Sequence, residues 1–274
     1  MKTLLAIFFL LASICCFSQN FEGTIKWSMK SEITDPKMKA QMEEAQKKLN
    51  DPATQAQMKE MKEKMNSPEM KAMMEKNPQI KQQMEAAMKM MEGGDMNSMM
   101  PTGFVIKIKN GNTLSIMEGG VMAGTETLYL KDKNQTFVIN QSSKTYTPLS
   151  HSGETSKPHG EVKVTKTNET QKILNYTCTK TIVTVTDKGK TLEQIFWTTK
   201  EIKDFDLKSL TNQRISAGQS LFYENIEGVP LKMEMSMPEA NMVMQVTEIK
   251  KEALSSTLFT IPAGFTETKL PGMH

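Results

Sequence analysis

The sequence predicts an α+β protein: a large curved antiparallel sheet, with a Met-rich helical insertion after its first strand. Three observations carry this. Residues 20–30 alternate, with Phe21, Gly23, Ile25, Trp27 and Met29 on one face and Glu22, Thr24, Lys26 and Ser28 on the other. Residues 34–100 then switch to Met, Lys, Glu, Gln and Ala, with apolar residues at helical spacing. From Gly103 onward the chain is rich in Thr, Val, Ile and Phe, and turn signals recur at short intervals. Closely spaced turns favour a hairpin-connected meander over parallel strands joined by helices.

The 274 residues begin with a charged Lys2, an apolar run from Leu4 to Ile14 and small residues before Ser18. This is the pattern of a secretory signal peptide over 1–18, too short for a good membrane span. The expected destination is the periplasm or the exterior, with 19–274 as a single domain. Lipoprotein anchoring at Cys15 or Cys16 is the alternative, although Ile14 is a poor residue before a lipidated Cys. Cleavage after Ser18 leaves Cys178 alone, so no intrachain disulfide forms and the core must supply the stability.

The insertion is a degenerate repeat. Asp35-Pro36 opens a unit ending at Asn50, and Asp51-Pro52 opens one ending at Asn66; eight of sixteen positions are identical. Ser67-Pro68 and Asn77-Pro78 open two more. A capping side chain before proline at the first helical position satisfies a free N–H, and proline has none to lose there. Four short helices are expected. Met38, Met42, Ala45 and Leu49 make the first apolar stripe, and Met58, Met61 and Met65 the second. Met70, Met73 and Met74 make the third, and Ile80, Met84, Met88 and Met91 the fourth. Such short helices are marginal alone, so the stripes are expected to be buried against another unit, the sheet or a ligand. Residues 93–102 read as a flexible return. The units resemble the DP-type modules of Hop-like co-chaperones, closest at Ser67–Ile80, a resemblance that supplies only a physical analogy: Met- and Leu-rich helices cradling apolar segments.

Strands are expected near 103–109, 112–118, 126–131, 135–140, 144–148, 161–167, 176–186, 190–198, 218–225, 229–237 and 241–250, with a short helix over 201–211. In the last hairpin Leu231, Met233, Met235 and Met237 share one face, and Met242, Met244 and Val246 share one face of the partner. Thioethers are an unusual choice for a strand, and unbranched methionine adapts to irregular partners.

A net charge of +3 and 6% aromatic residues argue against a dedicated nucleic-acid binder. His151, His159 and His274 are the only histidines; the first two share a loop and read as solvated. Cys178 reads as an inert strand thiol, because no histidine stands nearby in sequence to activate it. Asp204 and Asp206 do not form a convincing acid/base pair. No phosphate loop, paired-Cys ligand set or nucleophile elbow occurs, so an enzyme is not expected, and neither is a cofactor.

Four landmarks carry a family resemblance: Lys172–Lys180, Phe196-Trp197-Thr198-Thr199-Lys200-Glu201-Ile202, Glu227–Met233, and Leu258-Phe259-Thr260-Ile261-Pro262-Ala263-Gly264-Phe265. With Phe21–Ile25 they resemble DUF4412, an exported bacterial family of unknown function, over roughly 20–30 and 103–268. Asn175 stands where a Gly is expected before the Tyr. That family is similar in turn to the LolA/LolB lipoprotein-carrier superfamily. The resemblance implies that 19–274 is a single LolA-like unclosed half-barrel domain with the helical insertion over 34–100 as its lid, and no catalytic residues.

The expected function is a non-enzymatic binding or carrier protein. An acyl chain of a lipid or lipoprotein, or an apolar protein segment, would lie between the sheet and the Met-rich helices. The expected lining is Trp27, Leu231, Met233, Met235, Met237, Met242 and Met244 from the sheet and Met84, Met88 and Met91 from the helices. A cell-envelope protein is a further candidate partner. The alternatives are Cu(I) binding by thioethers, disfavoured by the lack of His between 20 and 150, and a structural or interaction protein whose methionines simply fill the core.

Overall fold

The computed structural model describes residues 21–76, 99–149, 161–187, 189–205, 222–223 and 225–268. The expected signal peptide, the fourth helix with Met84, Met88 and Met91, the loop with His151 and His159, and Asp206 and His274 lie outside the described residues.

Twelve strands form one sheet: β1 (Gly23–Ile33), β2 (Gly103–Lys109), β3 (Asn112–Glu118), β4 (Glu126–Leu130), β5 (Gln135–Asn140), β6 (Thr145–Leu149), β7 (Glu161–Ile173), β8 (Tyr176–Asp187), β9 (Lys190–Thr199), β10 (Val229–Ser236), β11 (Ala240–Lys251) and β12 (Thr266–Glu267). Their order is β12-β6-β5-β4-β3-β2-β1-β11-β10-β9-β8-β7, so the sheet is linear and unclosed, with β7 and β12 at its edges. Every pairing is antiparallel except β12 with β6. The chain therefore makes two meanders, and β1 joins them at the centre by pairing with both β2 and β11.

Two irregularities bend the central strands. Lys26 lies opposite Glu248 and Trp27 opposite Val246, which leaves Thr247 as an extra residue in β11. Pro230 lies opposite Thr198 and Lys232 opposite Trp197, which leaves Leu231 extra in β10. A bulge turns the strand and raises its twist, and it also accommodates a proline that has no N–H to give the ladder. At the join of β1 with its neighbours the backbones approach closely. A Cβ on Gly103 would stand 2.2 Å from the Trp27 carbonyl oxygen, so only glycine fits.

Most expected strands are present. β7 runs on to Ile173, beyond the expected end at 167. It is an edge strand exposed on both faces, so its polar sequence shows no alternation to read. The expected strand at 218–225 is not borne out where it is described: Phe222 and Tyr223 lie in a helical turn and pack inward. No helix starts at 201, because residues 201–205 are irregular. That stretch is pinned to the start of the sheet: the Phe21 N–H donates to the Asp204 carbonyl at 2.6 Å, and the Phe21 and Phe205 rings meet edge-on at 5.5 Å. The β7–β8 turn places its left-handed residue at Leu174 (φ 53°) rather than at Asn175.

Three helices follow β1: α1 (Pro36–Asn50), α2 (Pro52–Met65) and α3 (Pro68–Lys76). Their caps are as expected. Asp35 accepts from the Met38 N–H at 2.8 Å, Asp51 from Ala53 and Thr54 at 3.1 and 3.2 Å, and Ser67 from Met70 at 3.3 Å. The expected burial of their stripes is not found. Met65 is buried, but Met38, Met61 and Met73 are 39%, 52% and 49% exposed, and Met42, Ala45, Leu49 and Met58 are half-buried. The helices are held locally by these caps and by exposed i,i+4 pairs such as Glu44–Lys48 and Glu60–Lys64, both 2.7 Å, which are screened by water and contribute little. The return to the sheet is fixed from residue 99 on: the Val121 N–H donates to the Met99 carbonyl, and the Thr102 N–H to that of Glu118.

The core has two parts. The larger contains Ile25, Trp27, Phe104, Ile106, Phe196, Leu231, Met233, Met244 and Val246. The smaller contains Leu114, Leu128, Phe137, Ile139 and Phe259, with Leu254, Leu258, Ile261 and Phe265 against it. Pairing register puts them on opposite faces of the sheet, because directly opposed residues share a face. Trp27 opposes Phe104, which opposes Met117. Leu114, one residue out of phase with Thr113 and Ser115, opposes Leu128, which opposes Phe137. Residues 254–265, with a 3₁₀ turn at Ser256–Phe259, cover that second face. We call the Trp27 side the inner face and the other the outer face.

Candidate ligand-binding face

The inner face is assembled by register. Across β9–β10–β11–β1 the row Phe196, Met233, Met244, Met29 lies side by side. The next row is Gln194, Met235, Met242, Ser31. On the other side Val246, Trp27, Phe104 and Met117 continue the apolar wall across β11–β1–β2–β3. Trp27 and Phe104 stack at 5.7 Å with 12° between their planes. Tyr223 meets Phe196 edge-on at 5.7 Å and donates its hydroxyl to the Met233 sulfur at 3.0 Å. Burial raises the Tyr223 pKa, so it stays a neutral donor.

The chemistry of this face changes at β3. Ile108 opposes Thr113, then Tyr129, then Thr136; Ile106 opposes Ser115, then Thr127. Thr113, Ser115, Tyr129 and Thr136 are buried, Thr113 completely. Apart from Gln194 and Ser31 the inner face is therefore apolar from β9 to β2, and from β3 to β5 it carries the hydroxyls of Thr113, Ser115, Thr127, Tyr129 and Thr136 beside Met117 and Val138. From the Ile25 level to the Ser31 level, the in-register inner-face residues of β1–β5 and β9–β11 include no Lys, Arg, Asp or Glu. Lys251, opposite Gly23 at the end of the face, is held by Asp204 at 2.7 Å. Among the described residues, three buried polar atoms on this face have no hydrogen-bond partner: Trp27 Nε1, Ser31 Oγ and Thr113 Oγ1.

The outer face of the same central strands is a charged, solvated surface. Lys26 pairs with Glu248 at 3.0 Å and Lys232 with Glu234 at 2.8 Å. Trp197 donates its indole N–H to Glu234 at 2.9 Å, and Lys180 and Lys232 each stand 5.9 Å from its ring. This alternation of charge outside and thioether inside is what sets the inner face apart.

Of the expected lining, Trp27, Leu231, Met233, Met235, Met242 and Met244 lie together on the inner-face strands. Trp27, Leu231, Met233 and Met244 are buried; Met235 and Met242 are half-buried. Met237 lies past the end of β10, in the turn where its N–H donates to the Ala240 carbonyl. Sequence reasoning missed Met29, Phe104, Met117, Phe196 and the hydroxyl half. Their strands were visible, but which of them neighbour one another depends on the β1–β2 and β1–β11 pairings, which no local pattern encodes.

Cys178 is buried, and burial, with the carboxylate of Glu201 adding to it, pushes its thiol up to about 11. It is therefore a neutral thiol at ordinary pH. Among the described residues no three His, Cys, Asp or Glu side chains gather as a metal site.

Residues 57–265 match the family model described as "Domain of unknown function (DUF4412)". The chain belongs to the DUF4412 family. The match opens within α2, so it includes part of the helical segment and leaves out β1, whereas the expected resemblance joined β1 to the strands after 103. No curated protein matches the chain. Among solved structures this DUF4412 protein is similar to lipoprotein LppX of Mycobacterium tuberculosis, at 7% identity and a TM-score of 0.35, covering 85% of this chain and 89% of that one. It is also similar to LprF from Mycobacterium bovis, at 13% identity and a TM-score of 0.27, covering 61% and 84%.

Proposed function

We propose that this chain is a non-enzymatic binding or carrier protein of the cell envelope, which holds an apolar chain against the inner face of its sheet. The observation that supports this most is the uncharged row Phe196–Met233–Met244–Met29, bordered by the half-buried Met235 and Met242. An unbroken thioether and aromatic wall suits a flexible hydrocarbon, because methionine side chains repack at little cost. Burying about 300 Å² of ligand apolar surface is worth roughly 7 kcal/mol gross, before ordering costs. The Met-rich helical segment is the proposed lid. Met38, Met61 and Met73, partly exposed in α1–α3, are available to a lipid acyl chain or to an apolar segment of an envelope protein. The export signal over 1–18 fits this role.

The test is native mass spectrometry of the exported protein, with organic extraction of what it retains. Met233 and Met244 are too deeply packed to carry a charge without unfolding, so the informative variant is Met235→Lys with Met242→Lys. The half-buried pair tolerates long side chains whose amines reach water. Retained lipid in the parent and at least tenfold less in the folded double variant is expected. Equal retention, or none in either, overturns the proposal.

A further inference from the structure

We propose that α1–α3 form an oxidant-quenching surface, where exposed thioethers are converted reversibly to sulfoxides by hypohalous acids while the thioethers of the inner face are spared. This goes beyond the carrier reading, because it concerns a different set of methionines and needs no ligand. Between residues 34 and 100 the sequence uses 15 Met against one Leu and one Ile, with no Val or Phe. Leucine has much the same helix propensity and volume, and it would serve an apolar stripe as well. The choice is therefore for sulfur rather than for hydrophobicity.

The structure divides the thioethers by access. Met38, Met61 and Met73 stand exposed on three successive helices, whereas Met233 and Met244 are only 3% and 7% exposed in the core. With Met100 and Met122, methionine supplies five of the eight exposed large apolar side chains among the described residues. The local bonds that hold these helices do not involve sulfur: Asp35, Asp51 and Ser67 cap their starts, and Glu44–Lys48 and Glu60–Lys64 pair on their surface. A polar sulfoxide on the exposed stripe leaves those bonds in place, while the same oxygen on Met233 or Met244 would enter a packed apolar core. A thiolate would compete for the oxidant, because susceptibility follows thiolate character and exposure. Cys178, the thiol among the described residues, is buried and kept neutral by a pKa pushed up to about 11. The exposed thioethers are left as the accessible sulfur nucleophiles.

With hypochlorous acid the sulfur lone pair displaces hydroxide from chlorine, and water then replaces chloride on sulfur. In sum, thioether and hypochlorous acid give sulfoxide, chloride and a proton; sulfur is oxidised by two electrons and chlorine is reduced by the same two. The test adds hypochlorous acid stepwise to the full chain and follows each methionine by peptide mass spectrometry. Met38, Met61 and Met73 are expected to oxidise about tenfold faster than Met233 and Met244, with far-UV circular dichroism unchanged, and methionine sulfoxide reductases are expected to restore the original masses. A variant with Met→Leu at 38, 42, 58, 61, 70 and 73 is expected to keep the parent's fold. At one equivalent of oxidant it is expected to carry about twice the parent's sulfoxide at the half-buried Met235 and Met242. Equal rates at Met233 and Met38, loss of helical signal as the stripe oxidises, or unchanged oxidation of Met235 and Met242 in the variant each overturns the proposal. Lipid retention enters none of these readouts, so their failure leaves the carrier reading standing, and failure of that reading leaves this one.

Discussion

Strands β3–β6 and strands β8–β11 belong to one sheet, yet they treat its two faces differently. In β8–β11 the outer face is an ion-paired, solvated surface, and the apolar residues point inward. In β3–β6 the apolar residues Leu114, Leu128, Phe137 and Ile139 point outward, beneath the chain's own 254–265 segment, and the inner face carries mainly threonine, serine and tyrosine, with Met117, Val138 and Leu149 among them. The difference teaches that each part of the sheet buries its apolar residues under a different stretch of the chain: residues 254–265 cover the outer face of β3 and β4, while Ile202, Phe222, Tyr223 and Ile226 pack with the inner-face row of β9–β11 and leave Met235 and Met242 half-buried beside it. A residue's burial alone does not separate the two; the identity of what covers it does.

The largest expected effect breaks the cover. Phe259→Ala removes the buried ring from the outer side of β3 and β4 and is expected to cost about 3–5 kcal/mol in urea denaturation, with ligand retention per folded molecule unchanged. A cost below about 1 kcal/mol would show that the segment is not what stabilises this half. Met233→Ala attacks the other half. It is expected to cost about 2–4 kcal/mol, to strand the Tyr223 hydroxyl, and, unlike Phe259→Ala, to lower ligand affinity as well. If both variants lose stability and affinity in the same proportion, the two halves are not functionally distinct.

Smaller changes sharpen the contrast. Leu174→Gly relieves a left-handed backbone in the β7–β8 turn, where the leucine side chain is largely exposed; a gain of about 1 kcal/mol in thermal unfolding is expected. Met235→Leu with Met242→Leu is expected to change stability by less than about 1 kcal/mol and to leave lipid retention intact. Loss of Cu(I) binding without loss of lipid would favour the thioether-metal alternative.

The pH dependence is directional. Glu22 accepts from Lys109 at 2.8 Å and from the Leu254 N–H at 2.7 Å, and these bonds hold its pKa below the usual carboxylate value of 4.5. Glu227, between Lys166 and Lys200, is lowered to about 2. Folded values below the unfolded ones mean stability that is fully present above about pH 4.5 and is lost as pH falls through the folded values. Because Glu22 ties residue 254 to the sheet, acid should loosen the β3–β6 cover first. Hydrogen exchange that shows 254–265 no less protected at pH 3 than at pH 7 would contradict this.

The sequence made the elements legible where chemistry is local. The Asx/Ser-Pro caps fixed the starts of α1–α3, and alternation fixed β1, β2 and the Met hairpin. It could not show that Met38, Met61 and Met73 remain exposed, since helical spacing marks a stripe without naming its cover. The 201–205 stretch escaped because its conformation is dictated by Phe21, some 180 residues away in sequence. The hydroxyl half was invisible for a related reason: Thr113 and Ser115 look like ordinary strand residues until the register sets them beside Ile108 and Ile106.

The linear strand order has a mechanical corollary. A closed barrel fixes its girth through strand number and stagger, and widening it means unzipping a ladder. Here the β7 and β12 margins share no bonds, so the trough between them can change breadth by flexing at the kinks beside Thr247 and Leu231 without breaking any interstrand pairing. Under the carrier proposal, guests of different thickness would require different curvature of the same wall, not a different wall.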